Sequence, residues 1–99
     1  MDQLLVADFQ KGMRFEGYLL VRSSEQRTSN AGGTYLDMTL ADKTAEINAK
    51  VWNTQAAAPP VGSVLKLRAA VIEYNGRLQL RVEKYRQTRP EDRVDLSAL

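Results

Sequence analysis

The sequence predicts an all-β fold, a five-stranded Greek-key barrel with a short helical insert between its third and fourth strands. Three observations carry that expectation. Apolar and polar residues alternate over short segments, and helical periodicity is scarce. Turn signals separate the segments: the Gly32-Gly33 pair, a small polar turn around Asp42-Lys43-Thr44, and Asn75-Gly76. Pro59-Pro60 then divides three strand-like segments from two.

Residues 13–24, MRFEGYLLVRSS, read as the first strand, with Gly17 as its bend point and Phe15, Leu19 and Val21 as core members. EQRTSNAGG, residues 25–33, reads as a mobile polar loop. Residues 34–41 and 45–52 form the second and third strands. In NTQAAAPPVG, Asn53 can cap one helical turn that runs to Ala58 and is stopped by the prolines. Residues 63–74 and 77–86 are the fourth and fifth strands, joined by Asn75-Gly76 as a two-residue type I′ turn. Three strands, a helical insert and two strands is the order of an OB-type barrel. A β-sandwich wants about seven strands. The domain is expected to span 1–86, with 87–99 as a linker or C-terminal tail.

Side-chain matching proposes the registers. Placing Leu40 opposite Ile47 sets Met38 against Ala49 and Leu36 against Val51 on the inner face. The outer face then pairs Thr39 with Asn48, Asp37 with Lys50 and Tyr35 with Trp52. The Asn75-Gly76 turn sets Tyr74 opposite Arg77, Ile72 opposite Gln79, Ala70 opposite Arg81 and Arg68 opposite Glu83. Leu65, Leu67, Ala69, Val71, Leu78, Leu80 and Val82 face the core.

The outer face holds the candidate site. Tyr35 and Trp52 can stack unpaired bases, which need only a π-face. The same pair can equally be a cross-strand contact that stiffens a hairpin. Lys50 beside Trp52 favours the first reading, because a stacked nucleotide brings a phosphate. Arg27, placed on the first loop, with Arg77, Arg81 and Tyr74, completes the expected nucleic-acid-binding set. Arg68 is expected to be muted by Glu83. The partner so implied is single-stranded RNA or DNA, bound with little sequence preference. The alternative is a protein-interaction or oligomerisation module, in which Trp52, Tyr35, Tyr74 and Ile72 form a docking patch.

Composition narrows the classes. The 99 residues contain no cysteine and no histidine. Disulfides, thiolate sites and a Cys nucleophile are excluded, and the commonest general base and transition-metal ligand are missing. Asp37 and Glu46 have no accompanying nucleophile, so no catalytic residue, metal or cofactor is expected. Residues 1–88 hold 12 Lys/Arg against 9 Asp/Glu, and residues 89–99 hold 2 against 3. A weakly basic body fits a nucleic-acid partner without requiring one. The N-terminus has no basic n-region and only a four-residue apolar run, so no signal peptide, no membrane span and a cytoplasmic location are expected.

EGYLLVRSSEQRT (16–28), TYLDMTLADKTAEINAKVWN (34–53), LQLRVEKYR (78–86) and RPEDRVDLS (89–97) together resemble the N-terminal region of YhaM-like 3′-to-5′ exoribonucleases. The Y-L-D-x-T-L-x-D-x-T run, the A-K-x-W run and the trailing VDLS occur in order. The resemblance covers roughly the whole chain. It implies an OB domain that holds single-stranded RNA or DNA for a following HD-type phosphohydrolase domain. That domain is missing here, and Leu99 falls at an expected domain boundary. The resemblance therefore implies the binding half of a nuclease without its catalytic residues. The anticodon-binding OB domains of class II aminoacyl-tRNA synthetases are similar over the second strand, and there Tyr35 matches an aromatic that stacks on RNA. Two departures stand out: Ala45 replaces the usual Gly after Thr44, and the insert is short.

Overall fold

Alternation buries one face of each strand, and five such strands close on themselves. In the computed structural model, residues 4–94 and 96–99 are described; residues 1–3 and Asp95, within the VDLS run, lie outside them. The strands are β1 (Arg14–Thr28), β2 (Thr34–Ala41), β3 (Glu46–Val51), β4 (Val64–Tyr74) and β5 (Arg77–Gln87). They form a closed barrel in the order β1-β2-β3-β5-β4, the all-β arrangement expected. Every neighbouring pair is antiparallel except β3 with β5, which is parallel. Leu19, Leu36, Met38, Leu40, Leu65 and Leu80 are fully buried, each stabilising the barrel by about 1.5–3 kcal/mol. Val51 and Leu78, expected in the core, are half-buried and pack against it.

The β2–β3 register is the one side-chain matching proposes: Leu40↔Ile47, Met38↔Ala49, Leu36↔Val51, Thr39↔Asn48 and Asp37↔Lys50. Asn75 (φ 52°) and Gly76 (φ 79°) both take the left-handed backbone a type I′ turn requires. From that turn the β4–β5 register follows through Ala70↔Arg81 as far as Ala69↔Val82. It then shifts. A bulge between Arg68 and Ala69 places Arg68 opposite Lys84, not Glu83. The extra residue on β5 lets Val82 and Tyr85 both lean inward, Val82 buried and Tyr85 packed on the core. Glu83 still reaches Arg68 at 3.4 Å, and it also pairs with Arg14.

Three local expectations change. First, β1 runs to Thr28, through half of the expected loop. Glu25 lies opposite Asp37, and Arg27 bridges the two carboxylates at 2.7 and 3.0 Å, so the like charges do not break the pairing. The loop shrinks to residues 29–33, closed by Ser29 N–H donating to Gly33 O at 2.7 Å. Second, the irregularity in β1 falls at Arg22, the extra residue where its register on β2 shifts; Gly17 sits in unbroken pairing opposite Leu67. Third, residues 53–60 contain no helical turn. Asn53 has φ 57°, which steers the chain out of a cap. Thr54 N–H instead donates to Thr34 O at 3.0 Å, and the Gln26 amide donates to the carbonyls of Gln55 and Ala56. Ala58, preceding a proline, is disfavoured in a helix as well.

Beyond β5, Arg86 makes two bonds of 2.9 Å to Asp92 and holds the 3-10 turn Pro90–Asp92 near the barrel. That ion pair keeps the Asp92 carboxyl far below the usual carboxylate range.

The N-terminal segment plugs one end of the barrel. Val6 and Phe9 are buried, and the rings of Phe9 and Phe15 lie 5.0 Å apart. The anchor is Asp42, 5% exposed in the β2–β3 turn. One carboxylate oxygen accepts from Val6 N–H at 2.8 Å; the other accepts from Thr44 N–H, Thr44 Oγ1 and Ala45 N–H. Burial alone would raise the Asp42 carboxyl, but these hydrogen bonds outweigh it and hold the group below its usual range.

Replacing Asp42 with Ala should therefore strand several half-buried donors and lower unfolding stability by on the order of 2–3 kcal/mol in urea. The depressed folded-state value fixes the pH sense. The Asp42 contribution is complete above about pH 4 and is lost as pH falls below it. Asp42→Asn should flatten the acid limb of stability against pH.

Candidate functional site

The outer face of the β2–β3 hairpin follows from strand period. Once Leu36, Met38, Ile47 and Ala49 point inward, Tyr35, Asp37, Asn48, Lys50 and Trp52 must point outward. Tyr35 and Trp52 meet, with ring centroids 4.6 Å apart and a 33° tilt. Trp52 remains 46% exposed, so the pair does not bury its own surface.

Asp37 organises the cations beside them. Lys50 Nζ lies 3.1 Å from Asp37 Oδ1 and 3.0 Å from Asn48 Oδ1. Asn48 Nδ2 donates to Asp37 Oδ1 at 2.8 Å and to Met38 O at 3.1 Å. Arg27 Nε pairs with Asp37 Oδ2 at 3.0 Å. Burial would raise the Asp37 carboxyl; the hydrogen bonds from Asn48 and Lys50 and the charges of Lys50 and Arg27 prevail and lower it. Lys50 Nζ also sits 5.9 Å from the Tyr35 ring centroid, within cation–π reach. The cluster is thus a fixed array in which the Lys50 ammonium is held against the Tyr35 ring.

β5 supplies free charge. The parallel pairing sets Lys50 beside Arg81 and Asn48 beside Gln79, so Arg81, Gln79 and Arg77 share this outer face. Arg77 and Arg81 have no ion-pair partner among the described residues. Arg14 and Arg68, on β1 and β4, are both engaged by Glu83, and Arg86 by Asp92.

A groove of about 380 Å³ crosses this face, lined by Thr28, Ser29, Asn30, Tyr35, Lys50, Trp52, Tyr74 and Gln79. The structure therefore brings together Tyr35, Trp52, Lys50 and Tyr74 as the sequence suggests. Arg77 and Arg81 flank them. Arg27 differs from expectation. It lies within β1, with its guanidinium occupied by Glu25 and Asp37, and is not on a loop free to close. Sequence reasoning passed over Asn48, which fixes Lys50, and Gln79, which floors the groove. The outward phase of both strands was the available signal. Among the described residues, no group of three or more acidic side chains could hold a metal ion, and no helix is long and apolar enough to cross a membrane.

Comparison with known proteins agrees with the barrel fold. The family model of the OB-fold nucleic acid binding domain, tRNA_anti-codon, matches residues 15–88, essentially β1 to the end of β5. The chain is 33% identical over 93 residues to the 3'-5' exoribonuclease YhaM of Listeria welshimeri. It is 32% identical over 92 residues to the protein of that name in Halalkalibacterium halodurans, and 33% over 89 residues to that in Shouchella clausii. These alignments cover 91%, 90% and 87% of this chain but 30%, 29% and 28% of the relatives. The chain thus spans less than a third of the length of the curated relatives it matches.

The charge array has a direct check. Carboxyl NMR should show Asp37 titrating below the usual carboxylate range. In Lys50→Met its midpoint should move up, because burial is then opposed only by Asn48 and Arg27. An unmoved midpoint would show that Lys50 does not sit on Asp37 in solution.

Proposed function

The chain belongs to the OB-fold nucleic acid binding domain family, and from that premise we propose that its β2–β3–β5 face holds single-stranded nucleic acid, RNA in preference to DNA. The observation that carries the proposal is the exposed Trp52, stacked on Tyr35 in a groove flanked by two unpaired arginines. A base stacks on the outer face of this pair, and Tyr74 across the groove gives a second aromatic surface. Arg77 and Arg81 take phosphates. Lys50 adds a fixed positive potential under the stacked base, and Arg27 contributes through the same field. Stacking and phosphate contacts carry little sequence information, so the module is tolerant of sequence.

The relatives' name supports RNA as the strand and 3′-to-5′ degradation as the setting. In such a protein the shared portion holds the substrate, and chemistry belongs to the remaining length. No residue of this face is assigned a catalytic role.

Titrating Trp52 fluorescence with oligo-U tests the proposal. Quenching is expected, weakening as salt rises by a log–log slope of about −0.7 per phosphate contact. Trp52→Ala, followed by anisotropy of a labelled oligonucleotide, should weaken binding by about 1–3 kcal/mol with the fold intact. Absence of binding, together with a concentration-dependent increase in mass by light scattering, would favour a self-association surface instead.

A further inference from the structure

Past Tyr74 the groove opens into a second, larger one. Only Asn48↔Gln79, Ala49↔Leu80 and Lys50↔Arg81 join β3 to β5. On the N-terminal side of these pairs, Glu46 and Ile47 of β3 and Arg77 and Leu78 of β5 belong to strands but have no partner across the seam. The two strands splay there and leave a slot of about 620 Å³, floored by Val6, Ile47 and Leu78. Tyr74 and Gln79 line both the slot and the aromatic groove, so the two are continuous.

Gln79 stands at the junction. It is half-buried, and its side-chain amide has no hydrogen-bond partner among the described residues. Its neighbour Asn48 differs, with donor and acceptor both committed to Asp37, Met38 and Lys50. Both ends of this amide are uncommitted and still reach solvent, so a ligand can take them without breaking an internal bond. It presents a donor beside an acceptor, the complement of the pairing edge of a nucleobase. The slot's charge suits the same ligand. Arg77 on its rim is unpaired, and Glu46, its acidic lining residue, lies 3.7 Å from Arg22.

We infer that the splayed β3–β5 seam is a second base-binding subsite, entered over Tyr74. The base lies in the slot, Gln79 hydrogen-bonds its edge and Arg77 takes the adjoining phosphate. The inference rests on the single-strand reading above and extends it from one stacking platform to a path for consecutive nucleotides. Rotation of the carboxamide exchanges donor and acceptor, so Gln79 adds affinity without selecting one base.

The test is a titration of the chain with hexameric oligo-U, read by Trp52 fluorescence and by NMR of the Gln79 side-chain amide and the Ile47 and Leu78 methyl groups. The Gln79, Ile47 and Leu78 signals are expected to shift with the same midpoint as the Trp52 quench. Gln79→Ala, which removes no internal hydrogen bond, is expected to raise Kd about three- to tenfold while leaving the saturating quench unchanged. Trp52 quenching with stationary Ile47, Leu78 and Gln79 signals, or an unchanged Kd in Gln79→Ala, would overturn the slot and leave the aromatic site standing. No Trp52 quenching at all would overturn both.

Discussion

The barrel closes through three residue pairs between β3 and β5, and the candidate site depends on that closure. Without it the β2–β3 hairpin would carry an aromatic pair and a neutralised charge cluster, and β5 would carry two arginines on a separate hairpin. The parallel pairing of residues 48–50 with 79–81 sets Lys50 beside Arg81 and Asn48 beside Gln79. Parallel pairing needs a long connection, and β4 with its two turns supplies it. The brevity of the pairing matters as much. Where it ends, the strands part, and the apolar floor of the slot comes within reach of solvent.

A second constraint divides structural charge from available charge. From β2, Asp37 gathers Arg27 of β1 and Asn48 and Lys50 of β3, locking the outer face of the hairpin in one arrangement. Asp42 does the same for the barrel end, tying the N-terminal segment to the β2–β3 turn. Lys50 is therefore as much part of the hairpin as of any binding surface. Available positive charge on this face comes from Arg77 and Arg81 of β5, which have no ion-pair partner among the described residues.

Much of this was legible in the sequence, for a physical reason. Strand period is two, so a register that matches six cross-strand pairs at once has few competitors, and the β2–β3 hairpin follows that register. Asn75-Gly76 fixed its turn because both residues tolerate positive φ. The bulge at Arg68–Ala69 was less visible. Its trace is the odd spacing between Val82 and Tyr85, both of which lean inward. The extension of β1 through Glu25–Thr28 was hidden because its stability comes from Arg27 bridging two acids, a contact between strands. The helical turn at 53–58 failed for a similar reason: hydrogen bonds to Thr34 and from Gln26 outweigh local helix propensity. At the site, the aromatic pair was readable from residue type. Gln79 was not, because an uncommitted amide is defined by partners it lacks.

The central claim is that closure joins the aromatic hairpin and the β5 arginines into one strand-binding face. The salt dependence of oligo-U affinity in the Arg77→Ala/Arg81→Ala double variant tests it most directly. Loss of two phosphate contacts should reduce the log–log slope by about 1.4 in magnitude. An unchanged slope in that variant, with the loss appearing instead when Lys66, Arg68 and Lys84 are replaced, would place the strand on the opposite side of the barrel and contradict the account.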